Sequence, residues 1–121
     1  MVSLRQHRVL VVEDEFLIAL ELEDVLRDAG AEVIGPAMTV AEAMRLLDSE
    51  KLTLALLDVQ LAQGDSLPVA HRLEAADIPF VFHTGQLDAN NLLALFPRCA
   101  VVRKPVAAAT LILKLAGVAR G

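Results

Sequence analysis

Five polar positions carry most of the chemistry this sequence can offer: the pair Glu13-Asp14, then Asp58, Thr84 and Lys104. Each follows or ends a short apolar run. Arg8-Val9-Leu10-Val11-Val12 leads into Glu13-Asp14-Glu15, and Leu52-Thr53-Leu54-Ala55-Leu56-Leu57 leads into Asp58. Ile78-Pro79-Phe80-Val81-Phe82-His83 leads into Thr84-Gly85, and Cys99-Ala100-Val101-Val102 into Arg103-Lys104-Pro105. Three carboxylates brought close together repel, which raises at least one pKa unless a cation sits among them. Hard oxygen ligands with open positions favour Mg²⁺, which keeps several waters and takes phosphate as a partner. Thr84 adds a hydroxyl donor, and Lys104 a compact positive charge for an anion's oxygens. The set as a whole predicts transfer of a phosphoryl group onto a carboxylate. Taken singly, the same residues are ordinary. Glu13-Asp14-Glu15 suits the start of a helix, where the macrodipole favours negative charge, Thr84 suits a turn, and Lys104 suits a solvated surface.

What matters is whether the fold gathers them. The apolar runs are short and rich in Val and Leu, the form of strands covered on both faces in a parallel sheet. Strands are predicted over about 8–12, 31–35, 52–57, 78–83 and 99–102, with Pro36 closing the second. Between them the period changes. Ile18, Leu22, Val25 and Ala29 share one helical face from Phe16 to Ala29, and Gly30 suits the C-terminal cap. Thr39-Val40-Ala41-Glu42 has the form of a capping box, opening a helix with Val40, Met44 and Leu47 on its apolar stripe. Val59 to Ser66 is a loop with Gly64 and Asp65 as turn residues, and Pro68 lies in the first turn of a helix reaching about Ala75. Asp88 caps a short helix over 89–95, and a last helix over about 106–118 carries Leu111, Leu115 and Val118 on one face. Five strands alternating with five helices describe an α/β, doubly wound parallel sheet in one domain over residues 1–121. In such a sheet the strand ends that carry the five polar positions share one edge, where ligands bind.

Composition narrows the field. A net charge of −5 with no basic cluster argues against a nucleic-acid face, and 3% aromatics with no Trp or Tyr argue against base stacking. No apolar run is long enough to span a bilayer, and the N-terminus lacks the form of a secretion signal. One cysteine, Cys99, excludes an internal disulfide and suits a reducing compartment, the cytoplasm, as a small apolar filler.

The ordered set resembles the receiver domain of two-component response regulators over essentially the whole chain. Glu13-Asp14 resembles that family's acidic pair, Asp58 its phosphoacceptor, Thr84 its hydroxyl residue and Lys104-Pro105 its Lys-Pro step. The resemblance implies a flavodoxin-like sheet of strand order 2-1-3-4-5, and a protein that is phosphorylated on itself and is not a turnover enzyme. It also implies that Asp58 attacks phosphorus, and that Mg²⁺ is held by Asp14, Asp58, Glu13 and the backbone carbonyl of Gln60. Thr84 and Lys104 would engage the new phosphoryl group, and the Lys104–Pro105 peptide would be cis. The implied donor is a sensor histidine kinase or a histidine phosphotransfer protein. The implied output, for a stand-alone receiver, is protein contact through the face of the fourth helix, fifth strand and fifth helix. There Leu92, Leu95 and Leu111 serve either a partner or the core, and a second copy of the chain is a further candidate partner.

Departures from the family pattern sharpen this. The position of the switch aromatic, three residues before the lysine, is Val101, and the loop proline expected four residues after Asp58 is Ala62. The stretch Pro79-Phe80-Val81-Phe82-His83-Thr84-Gly85 resembles a proteobacterial receiver subgroup that lacks the aromatic switch and is often single-domain. Gln60 and Gln86 flank the site at positions that tune the lifetime of an acyl phosphate. Two rival classes remain distinguishable. An Asp-nucleophile phosphatase needs a general acid two residues after the nucleophile, where Gln60 stands. A degenerate receiver would act as an interaction module alone, and the complete polar set argues against it. His71, on a predicted helix, reads as a surface or half-buried residue. His83 points away from Thr84's side by strand alternation. Neither suits a phosphohistidine.

Overall fold

The computed structural model describes residues 2–85 and 89–119. Seven strands and five helices are described: β1 (Arg8–Val12), α1 (Phe16–Asp28), β2 (Glu32–Ala37), α2 (Val40–Ser49), β3 (Leu54–Leu57), β4 (Gln60–Leu61), β5 (Gly64–Asp65), α3 (Leu67–Ala75), β6 (Phe80–Thr84), α4 (Ala89–Leu95), β7 (Ala100–Arg103) and α5 (Ala108–Ala119). Five strands form one parallel sheet in the order β2-β1-β3-β6-β7, the predicted 2-1-3-4-5 order of an α/β flavodoxin-like receiver fold. Among the described residues no helix is long and apolar enough to cross a membrane.

Strands buried on both faces explain the apolar runs, because each successive side chain enters a different core. Val9, Val11, Leu54, Leu56, Val81 and Val102 face α1 and α5, packing on Leu22, Leu26, Leu111 and Leu115. Leu10, Val12, Ala55, Leu57, Phe80 and Phe82 face the other way, onto Ala43, Val69, Leu73, Leu92 and Phe96. There Phe80, Phe82 and Phe96 meet at tilted and edge-on angles, the arrangement their ring quadrupoles favour. Leu92 and Leu111 are therefore core residues, while Leu95 is exposed.

Three local readings need correction. β2 does not stop at Pro36 but runs to Ala37, through a register shift beside β1 and a cis Gly35–Pro36 peptide. Gly35 sits at φ +101°, and a Cβ there would lie 2.7 Å from the Ala37 nitrogen, so only glycine fits without displacement. The predicted α1 face of Ile18, Leu22, Val25 and Ala29 does pack on the core, joined by the more deeply buried Ala19 and Leu26. The segment predicted as a loop after Asp58 contains a two-stranded antiparallel ribbon, β4 with β5. The capping box is half made: Thr39 Oγ1 accepts from the Glu42 N–H at 3.1 Å, but Glu42 accepts from Met38 instead of Thr39. The predicted Asp88 cap lies outside the described residues, as does Gln86.

Candidate functional site

Parallel strands deliver the predicted polar residues to one edge. The β1–β3 register pairs Val12 with Leu57, so Glu13-Asp14 and Asp58 leave the sheet side by side. The ladder continues one step further, with Asp58 N–H donating to Val12 O at 2.9 Å and Glu13 N–H to Ala37 O at 3.0 Å. On the other side β6 pairs with β7, placing Thr84 opposite Arg103, and Lys104 N–H donates to Thr84 O at 2.8 Å. The Lys104–Pro105 peptide is cis, as the resemblance implied.

The carboxylates converge. Glu13, Asp14 and Asp58 each offer an oxygen, and these oxygens lie within 4.8 Å of one another. The Lys104 ammonium stands between two of them, 3.0 Å from Glu13 Oε1 and 2.9 Å from Asp58 Oδ2. Glu13 is fully buried, Asp58 nearly so, and Asp14 is partly open to solvent. Three of the other oxygens meet backbone donors: Glu15 N–H on Glu13 Oε2, Gln60 N–H on Asp58 Oδ1, and Ala62 N–H on Asp14 Oδ2. Gln60 itself is exposed on β4. Ser66, at the end of the predicted loop, donates its hydroxyl to the Asp58 main-chain carbonyl at 2.6 Å.

Electrostatics follow from this packing. Burial lifts the Glu13 carboxyl above the usual carboxylate range, with the Asp58 charge adding to the lift and the Lys104 and Glu15 hydrogen bonds opposing it. Repulsion among the carboxylates, the expected cause, is thus a secondary one. Burial alone would lower Lys104, but hydrogen bonds to Asp58 and Glu13, together with their charges, outweigh it and hold the ammonium above its usual value. A cation therefore does sit among the carboxylates, and it comes from the chain itself. The donor set of hard carboxylate oxygens, already matched to a positive charge, fits a divalent cation such as Mg²⁺. Glu13, Asp14 and Asp58 would hold it.

His83 lies on the opposite side of β6 from Phe82 and lines a cavity of about 170 Å³ with Ile18, Leu22, Val25, Lys104 and Leu111. Among the described residues its Nδ1 has no hydrogen-bond partner, and burial, then the Lys104 charge, pushes its pKa down to about 4. His71 is exposed on α3, its ring 4.9 Å from Phe96. Cys99 is half-buried just before β7, and burial followed by the Glu74 charge pushes its thiol up to about 11. It is a protonated packing residue at neutral pH.

The family model for the response regulator receiver domain matches residues 9–116. The chain belongs to this family. Among relatives, the receiver is 39% identical over 79 residues to the phyllosphere-induced regulator PhyR of Methylorubrum extorquens, covering 63% of this chain and 30% of that protein. It is 35% identical over 71 residues to the transcriptional regulatory protein PdtaR of Mycobacterium tuberculosis, covering 59% of this chain and 35% of that one. The matches thus span about a third of the length of these curated relatives. Among solved structures, SdrG from Sphingomonas melonis superimposes with a TM-score of 0.80 at 39% identity, covering 93% of this receiver and 95% of SdrG.

Proposed function

We propose that this receiver takes a phosphoryl group from a phosphohistidine, on a sensor histidine kinase or a histidine phosphotransfer protein, onto Asp58. The observation that carries the proposal is the Lys104 ammonium held 2.9 Å from Asp58 Oδ2 inside a cluster of three carboxylates. An ammonium that already neutralises the nucleophile's surroundings is placed to receive the oxygens of an incoming phosphoryl group. An oxygen of Asp58 attacks phosphorus, a P–O bond forms as the P–N bond breaks, and the electron pair of the P–N bond stays with the imidazole. Gln60 N–H, at 3.2 Å from Asp58 Oδ1, keeps the carboxylate oriented. Thr84, buried at the end of β6, supplies a hydroxyl to the product, and the buried Glu13 holds the Lys104 ammonium in place through its Oε1. Bound Mg²⁺ would neutralise the carboxylates and the phosphoryl oxygens alike.

The chain acts as a phosphoacceptor and not as a turnover phosphatase, since an amide side chain at Gln60 stands where a general acid would be needed. Beside the acidic pair, Phe16 and Leu17 expose 64% and 74% of their surface, an apolar approach for the donor's helix. Output runs through protein contacts in the cytoplasm. On α4, Leu93 and Leu95 are exposed and Leu92 is not, while on α5 Leu111 is buried and the exposed Leu113 lies on the side facing α1, beside Val25 and Ala29. With Val101 half-buried in the core in place of an aromatic, the signal travels through the Thr84 and Lys104 segments and not through a rotating ring.

Incubation with a small acyl phosphate and Mg²⁺, followed by intact-mass measurement, tests the reading. One phosphoryl adduct is expected, absent in Asp58→Asn and absent when Mg²⁺ is chelated. An adduct that persists in Asp58→Asn, or no adduct while a control receiver is labelled, would overturn it.

A further inference from the structure

Ser66 occupies the position just ahead of α3, where a serine ordinarily turns its hydroxyl onto the helix's free N–H groups. Here it makes no such cap, and Asp65 Oδ1 instead accepts from the Leu67 N–H at 2.9 Å. Ser66 is fully buried, and its Oγ donates at 2.6 Å to the main-chain carbonyl of Asp58. Its own N–H donates at 2.9 Å to the carbonyl of Val59. A single residue therefore holds the carbonyls of the two peptide units that directly follow Asp58. Peptide units are rigid planes, so fixing these two restricts the backbone torsions at Asp58 and Val59, and with them the direction of the Asp58 Cα–Cβ bond. It also fixes the Gln60 N–H that returns to Asp58 Oδ1 at 3.2 Å. The hydroxyl diverted from the helix end is spent on the nucleophile's main chain.

We propose that Ser66 is a positioning residue for phosphoryl transfer, its hydroxyl aiming the Asp58 carboxylate by clamping the backbone behind it. This rests on Asp58 being the phosphoacceptor. Geometry of this kind is valuable to a displacement reaction, where misplacement by about 1 Å can cost on the order of a hundredfold in rate. Ser66→Ala removes the clamp and leaves the carboxylate, the ammonium and the acidic pair in place.

The test compares phosphorylation of the whole chain by a small acyl phosphate at saturating Mg²⁺, with the rate followed against donor concentration. Ser66→Ala, Ser66→Thr and Val69→Ala are set beside the parent, at a temperature where circular dichroism shows all four folded. Val69, fully buried on α3, is a control for loosening that helix without touching Asp58. The expected result is a maximal rate about 10-fold to 100-fold lower in Ser66→Ala, with an unchanged half-saturating donor concentration. Ser66→Thr, which keeps the hydroxyl, should return most of the rate, and Val69→Ala should leave it near the parent's. Equal rates in Ser66→Ala and the parent would overturn the clamp while leaving the phosphoacceptor reading intact. A Thr variant as slow as Ala, or a Val69→Ala variant equally slow, would trace the effect to packing and overturn it too. A parent chain that takes up no phosphoryl group would remove both readings together.

Discussion

The two edges of the sheet each carry a cation placed between two carboxylates, and they behave differently. At the site edge Lys104 lies between Glu13 and Asp58, with side-chain exposures of 17%, 1% and 7%. At the opposite edge Arg8 lies between Glu32 and Glu50, at 31%, 60% and 37%. The hydrogen-bond geometry is comparable: Arg8 Nη2 is 2.8 Å from Glu50 Oε1, and Arg8 Nε also donates to the Lys51 carbonyl at 2.7 Å. Burial is what separates them. Water and salt screen the Arg8 group, whereas the Lys104 ammonium has exchanged most of its hydration for two carboxylate partners. The first pins strand ends together. The second stores charge where a ligand can use it.

The sharpest way to break the comparison is Lys104→Met against Arg8→Met. Removing Lys104 leaves Glu13 and Asp58 buried without their counter-charge, a change expected to cost about 3–5 kcal/mol. Urea unfolding without divalent cations should show that loss, and Mg²⁺ should recover part of it, because a bound cation stabilises the folded state by mass action. If Lys104→Met unfolds as the parent does, the site edge is no more than a surface ion cluster.

A second comparison concerns two histidines. His7 near the Arg8 edge places Nδ1 2.9 Å from Thr53 Oγ1, while His83 beside Lys104 leaves Nδ1 without a partner among the described residues. A buried polar atom without a partner costs about 1–3 kcal/mol, so His83→Leu should be more stable than the parent at pH 7. The difference should widen in acid. Folded His83 resists protonation until about pH 4, whereas the unfolded chain takes up that proton near 6.5. The unfolded state therefore binds more protons between those values, and the parent loses stability as pH falls through that window, by on the order of 3 kcal/mol in full. Denaturation midpoints of parent and His83→Leu that stay parallel from pH 7 to pH 4 would rule this out.

The site edge was legible in the sequence because the strands there are largely apolar runs stopped by a polar residue. Val12 before Glu13 and Leu57 before Asp58 mark both the end of a buried strand and the start of chemistry. Parallel topology then does the gathering. What stayed hidden has no periodic signature. β4 and β5 are two residues each, too short for alternation to register. Ser66 has the look of an ordinary helix cap, and only the fold shows its hydroxyl turned onto Asp58. β2 passes Pro36 because that strand lies at the sheet edge, where a missing N–H is tolerated. The closure of Lys104 onto two carboxylates depends on a strand more than forty residues further on, which no local pattern reports.

The smallest effect belongs to Arg8→Met, and it tests the screened half of the comparison. Arg8 keeps part of its surface in water, and both its carboxylate partners are more exposed than it is. Exposed pairs of this kind contribute about 1 kcal/mol or less. The loss in urea midpoint should therefore be slight at low salt. It should shrink further in 1 M NaCl, where the screening length falls to about 3 Å from about 10 Å at 0.1 M. The loss from Lys104→Met should change little over the same range, because solvent ions reach that ammonium poorly. Phosphorylation of Arg8→Met should match the parent, since Arg8 and the carboxylates at the site stand at opposite ends of β1. Equal salt dependence in the two variants would mean that burial does not distinguish the edges, and that the charge stored at Asp58 is as open to solvent as the pairs around Arg8.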